Sequence, residues 1–140
     1  MVIESRLEGW EIRLDSMVER LRHAPYAIGS NDCFRLACRA IEALTGVDRW
    51  PEFAGYTTKR EALRRIAVHG ASFEAAGDWF FGPPRRAPAC ARRGDIVALR
   101  TTDGTKHLGV CMGHRAALIS HQGLLFVPIE RCLCSWGVGW

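Results

Sequence analysis

Apolar residues recur at alternating spacings of four and three along Ile3, Leu7, Trp10, Leu14, Met17 and Leu21, a stripe that predicts an amphipathic helix within residues 1–24, ending before Pro25. Such a stripe is first a packing face, and its regularity would also suit docking in a larger assembly. A second helix is expected to start near Asn31 or Asp32, either of which can cap it, and to stop at Gly46. Cys33, Leu36, Ala37, Ala40, Ile41 and Leu44 share one face of it, which turns Cys33 toward the body of the protein. Thr57 or Thr58 caps a third helix, Lys59 to Val68, closed by His69-Gly70, with Ala62, Leu63, Ile66 and Ala67 inward and Arg60, Arg64 and Arg65 outward. Phe73 to Phe81 holds a short helical turn. Gly82-Pro83-Pro84 then breaks the chain ahead of an exposed connection, Arg85 to Arg93.

From Asp95 the apolar period becomes strand-like. Ile96 to Arg100 is a strand, Thr102 to Thr105 a hairpin turn and Lys106 to Met112 the returning strand, followed by a pair, Ala116 to Ser120 and Leu124 to Val127, joined across His121-Gln122-Gly123. The tail, Pro128 to Trp140, reads as a short helical piece and a Gly- and Trp-containing end. Helices followed by an antiparallel sheet give an α+β class. With 140 residues, 48% of them hydrophobic, the chain fits one domain, 1–140.

The net charge of +4 changes this picture little, because acids are interspersed with arginines through most of the chain. The exception is Arg85, Arg86, Arg92 and Arg93, a basic cluster that suits either an exposed loop or an anionic partner. No interleaved aromatic pattern supports nucleic-acid binding. Met1 to Arg22 is charged throughout, so no signal peptide is expected, and no apolar run is long enough for membrane insertion. The cysteines at 33, 38, 90, 111, 132 and 134 are then expected as reduced thiols. Cys132-Leu133-Cys134 is too tight for a zinc knuckle, and no metal or cofactor is expected. A metal-binding module built from Cys90, Cys111, Cys132 and Cys134 stands as a minor alternative to small buried apolar residues.

Cys33 carries the most informative chemistry. Tyr26-Ala27-Ile28-Gly29-Ser30-Asn31-Asp32-Cys33 is a glycine-containing loop running into the first turn of a helix, where unpaired N–H groups and a partial positive charge favour a thiolate. Within the returning strand, His107, Gly109 and Cys111 share one face and Leu108, Val110 and Met112 the other. If the Cys33 helix packs on the first face, His107 approaches the thiol, and Gly109 marks the close approach of helix to sheet. A Cys–His pair is the minimum for thiol catalysis. Cys33 would then react with an alkylating agent at neutral pH much faster than the other five thiols.

The order of these pieces resembles the NlpC-type papain-like cysteine peptidases. Tyr26, Gly29, Asp32 and Cys33 match the family's aromatic-Gly-Asp-Cys loop. Gly94-Asp95 matches its Gly-Asp ahead of a strand, and His107-Leu108-Gly109-Val110, with Gly113 beyond, matches its His-apolar-Gly-apolar strand. The resemblance runs from Tyr26 to about Gly123. It implies a papain-like fold with N-terminal helices packed on a small antiparallel sheet. It further implies Cys33 as nucleophile, His107 as general base, and the Cys33 N–H with a group near Tyr26 holding the oxyanion, with Tyr26 and Asp32 at the substrate end.

The family's third residue falls at Ile119 here. His121, two residues on and on the same strand face, is the candidate to orient the imidazole, ahead of Ser120 and Gln122. Ile28 replaces the family's tryptophan, and Phe34-Arg35 its Ser-Gly, so Arg35 is placed either to lower the thiol's pKa or to reach solvent. The Gly29-x-Asn31-Asp32-Cys33 loop, Thr45-Gly46-Val47-Asp48 and Trp136 resemble a compact branch found among phage tail genes. That implies a peptidase of the virion tail tip, made in the host cytoplasm, that cleaves peptidoglycan stem peptides beside other tail-tip or hub proteins. A structural tail-tip part with the same fold and weak or no activity is the alternative.

Overall fold

The structure is a computed structural model and describes residues 5–139. Among them, four helices precede a five-stranded antiparallel sheet, an α+β arrangement. The helices are α1 (Trp10–Leu21), α2 (Cys33–Thr45), α3 (Lys59–His69) and α4 (Phe73–Phe81). The strands are β1 (Ile96–Arg100), β2 (Lys106–Cys111), β3 (Arg115–Ser120), β4 (Gly123–Pro128) and β5 (Cys132–Trp136), in the order β4-β3-β2-β1-β5.

The first helix is shorter than its apolar stripe. Ile3 lies outside the described residues, and Gly9 takes a left-handed φ of 75°, so the helix begins only at Trp10. Before it, Arg6 ties the chain to the end of the sheet. Its guanidinium pairs with the buried Asp95 at 3.0 Å and donates to the carbonyls of Val138 and Arg93. Asp95 also accepts from the N–H groups of Arg92 and Val138, so this half of the Gly-Asp motif is architectural.

Local signals set the next helices. Asp32 caps α2 through Arg35 N–H, Thr58 caps α3 through Glu61 N–H, and Ser72 caps α4 through Ala75 N–H. Gly46, at φ 80°, ends α2. The expected inner face of α3 is corrected: of Ala62, Leu63, Ile66 and Ala67 only Ala62 is buried, and Leu63 is 53% exposed. This helix packs chiefly on α4, where His69 stacks on Trp79 at 3.6 Å, and Arg65 turns inward to donate to the carbonyls of Phe53 and Ala54. Phe73–Phe81 is a full helix, and Gly77 lets it seat on Trp136, whose ring lies 2.2 Å from where a Cβ would stand.

The tail holds a strand that the pattern did not show. After a short 3-10 turn, Ile129–Arg131, β5 pairs with β1 through a register shift at Ala98/Leu99. Trp136 at its end is fully buried and donates to Asp78. The connection from Arg85 to Arg93 is less free than expected, since Arg86 bridges to Ser135, Arg85 pairs with Asp78 and Arg93 with Asp15.

One packing expectation is overturned. Helix α2 lies on the sheet face that carries Ile96, Leu108, Val110 and Trp136, within one buried cluster. It does not lie on the face of His107, Gly109 and Cys111, where Cys111 clusters instead with Val97, Leu99 and Leu118. The larger apolar side chains decide this, because the area available for burial sits on the Leu108 side. Gly109 accordingly answers a different close approach: its Cβ would stand 2.8 Å from the Ala117 carbonyl of β3, with β1 side chains beyond.

Candidate thiol site

The chain between α1 and α2 is pinned before it presents Cys33. Asn31 donates its amide to the carbonyls of Ala24 and Pro25, and Tyr26 N–H reaches Ser120 O at 2.9 Å. Asp32, 2% exposed, accepts three hydrogen bonds: Arg35 N–H on one oxygen, Gly29 N–H and the Tyr56 hydroxyl on the other. Gly29 is required twice over, for a left-handed φ of 81° and because a Cβ would stand 2.4 Å from the Tyr56 carbonyl. Asp32 therefore builds the loop and serves as its hub, and it also lines the groove beside Cys33.

Cys33, partly exposed, opens α2 on the wall of a groove of about 520 Å³. Paired positions between β2 and β3 are Val110↔Ala117 and Cys111↔Ala116, near the far end of β2. Closer to its start the Leu108 N–H is near enough to the Cys33 sulfur to favour its charged form. His107, Tyr26, Asp32, Ile119, Ser120 and His121 line the same groove, and α3 supplies the facing wall with Lys59, Ala62, Leu63 and Ile66. All five residues expected in the site are thus gathered around one space, although His107 belongs to the sheet face opposite the one α2 covers. Among the described residues no hydrogen bond joins Cys33 to His107.

Electrostatics define the resting state. Burial pushes the Cys33 thiol up to about 12; the charge of Asp32 adds to this, while N–H groups of Leu108, Cys33 and Phe34 oppose it. Arg35 does not help the thiolate, because it turns to Asp48, 4.0 Å away, and over the Trp50 ring. Burial also lowers the pKa of His107, with the charge of Asp103 pulling it up and that of Lys59 pushing it down. Thiol and imidazole are therefore both neutral near pH 7. Burial raises the pKa of Tyr26, helped by the charge of Asp32.

The residues near the expected third position play other parts. Ile119 packs on the main core, and the Ser120 hydroxyl donates to Gly123 O. His121 stands edge-on to Tyr26, ring centroids 5.5 Å apart, and makes no hydrogen bond to His107 among the described residues. The carboxylate whose charge acts on His107 is Asp103, held at the tip of the β1–β2 hairpin by the Thr101 hydroxyl and the Thr105 N–H. Neither Tyr56 nor Asp103 stood out in the sequence. Tyr56 has no local pattern around it, and Asp103 carries only the sequence signature of a hairpin turn.

A family model for a domain of unknown function, DUF6950, matches residues 5–138. The chain belongs to the DUF6950 family. A comparison with curated proteins finds no match. In this DUF6950 domain none of the other five cysteines lines the groove: Cys38 and Cys134 belong to the main core, Cys111 and Cys132 pack with Val97 and Leu99, and Cys90 is exposed. Among the described residues, no three or more His, Cys, Asp and Glu side chains are grouped to hold a metal ion. No helix of the described residues is long and apolar enough to cross a membrane.

Proposed function

We propose that this protein is a thiol hydrolase of papain-like, NlpC-type architecture that cleaves amide bonds of peptidoglycan stem peptides. The observation that carries the reading is Cys33 at the N-terminus of α2, in one groove with His107 and Tyr26. The neutral His107 ring takes the thiol proton as sulfur attacks the carbonyl carbon. The oxyanion forms against the Cys33 N–H at the positive end of α2, with the Tyr26 hydroxyl as a second donor. His107 then returns the proton to the leaving amine, and water hydrolyses the thioester. Because the resting thiol is pushed up to about 12, proton transfer accompanies attack; a stored thiolate–imidazolium pair is not the starting point. The phage tail tip, beside other tail-tip or hub proteins, is the setting that the loop and Trp136 resemblances suggest.

Incubation of purified sacculi with the protein, followed by mass spectrometry of released muropeptides, tests this. Cleavage by the parent that disappears in both Cys33→Ala and His107→Ala is expected; cleavage that survives Cys33→Ala refutes it. A second reading, a structural tail-tip part with little or no activity, is favoured by the raised thiol pKa and by Ile119 in the third position. Tails assembled with Cys33→Ala that infect as well as the parent, with no muropeptide release by either protein, would establish it.

A further inference from the structure

A second cavity, of about 620 Å³, lies between α1 and α2 and shares no lining residue with the Cys33 groove. Its wall carries four arginines, Arg13, Arg20, Arg35 and Arg39, against one carboxylate, Glu42. Internal carboxylates neutralise these charges only in part. Arg13 donates to the carbonyls of Ala43 and Glu42, and Arg39 to the neutral amide oxygen of Asn31 at 2.8 Å. Arg35 is the exception: its buried Nη1 pairs loosely with Asp48 at 4.0 Å without a hydrogen bond. Arg20 is exposed and has no ion-pair partner among the described residues. The crowding is felt at Arg39, whose pKa is lowered by burial and further by the charges of Arg35 and Arg20, with those of Asp32 and Glu42 opposing.

We propose that this groove binds a phosphate group, either free or as the ester of a larger ligand. Guanidinium forks pair with carboxylate and phosphate alike, but a phosphate offers more acceptor oxygens and more charge, so one group serves several arginines at once. Buried Met17 and Leu21 form the apolar floor, and the groove's outer rim carries Ile12, 74% exposed, where the organic part of an ester can rest. The unpaired guanidinium of Arg20 and the donors that Arg13 and Arg39 leave free then find acceptors on the phosphate.

The test follows the arginine Nε–Hε NMR signals of the intact protein at constant ionic strength. Inorganic phosphate and glycerol 3-phosphate are titrated separately against sodium chloride. Sedimentation with phosphatidylglycerol vesicles, against phosphatidylcholine vesicles, forms a further arm that distinguishes a lipid source. Saturable shifts of the groove arginines at millimolar phosphate are expected, and Arg20→Gln should weaken them about tenfold, the loss of one charge-assisted hydrogen bond. Arg64→Gln, an exposed change on α3, should leave them intact. Shifts that do not saturate beyond the chloride control, or that Arg20→Gln leaves unchanged, overturn the proposal.

Discussion

Removing the Tyr56 hydroxyl tests whether Asp32 holds the loop that presents Cys33. Phe at this position keeps the ring against Trp50 and Phe34, at centroid distances of 6.0 and 6.5 Å, and deletes only the donor to Asp32. A hydrogen bond to a charged acceptor contributes about 1.5–3 kcal/mol, so Tyr56→Phe is expected to cost about 2 kcal/mol. For a chain of this size that lowers Tm by roughly 6–10 °C. Tyr26→Phe is the control, because the Tyr26 hydroxyl has no hydrogen-bond partner among the described residues; it should cost no more than about 0.5 kcal/mol. Urea denaturation followed by tryptophan fluorescence gives both numbers. The pH dependence adds a sign. Burial and the hydrogen bond to Asp32 raise the Tyr56 pKa above its ordinary 10, so its stabilisation is complete below pH 10 and is lost as pH rises further. The gap between parent and variant should therefore narrow above pH 10. A Tyr56→Phe protein as stable as the parent at neutral pH would refute the argument.

Gly29→Ala should cost at least about 2 kcal/mol, since it combines a left-handed φ with a Cβ driven into the Tyr56 carbonyl; thermal melting measures it. Arg6→Met breaks a buried pair and should cost about 3–5 kcal/mol by the same measurement, with a loss under about 1 kcal/mol counting against the anchor. Iodoacetamide labelling read by peptide mass spectrometry should modify exposed Cys90 before Cys33 at pH 7, and Cys33 labelling should keep rising about tenfold per pH unit past pH 9. That order is the reverse of the one expected from helix position alone. Asp103→Asn removes the charge that raises His107, so the acid limb of a muropeptide-release profile should move to lower pH, and by less at high salt because Asp103 is exposed.

What the sequence made legible was local. Asp32 and Gly46 bound α2, Thr58 starts α3, and the β1–β2 hairpin sits where Thr102 to Thr105 put it, because each is decided by residues a few positions apart. The stripe from Ile3 to Leu21 misplaced the start of α1 because periodicity does not register a single left-handed glycine, Gly9. Strand β5 was hidden by the register shift at Ala98/Leu99, which disturbs the simple alternation along Cys132–Trp136. Alternation in β2 divided its residues between two faces correctly but carried no information about which face α2 covers. Tyr56 was invisible for the same reason: its contact with Asp32 spans 24 positions and depends on how the segment after α2 folds back past Gly29.

The residue that builds the site also works against its chemistry. Asp32 caps α2, fixes Gly29 and holds Tyr56, yet its charge raises the pKa of both Cys33 and Tyr26. Burial dominates at the thiol, so the N–H groups around the sulfur reduce the penalty without reversing it. A thiolate formed there at neutral pH needs a proton acceptor at the moment of attack, and His107, kept neutral by burial, is available for that role only if it closes on the sulfur. A Cys33→Ser variant discriminates further. A hydroxyl is a still weaker acid, so if His107 acts as base the variant should lose activity by several orders of magnitude while retaining the parent's muropeptide binding. Weak binding in that variant, with its melting temperature unchanged, would instead mean that the thiol's place in the groove is to shape it.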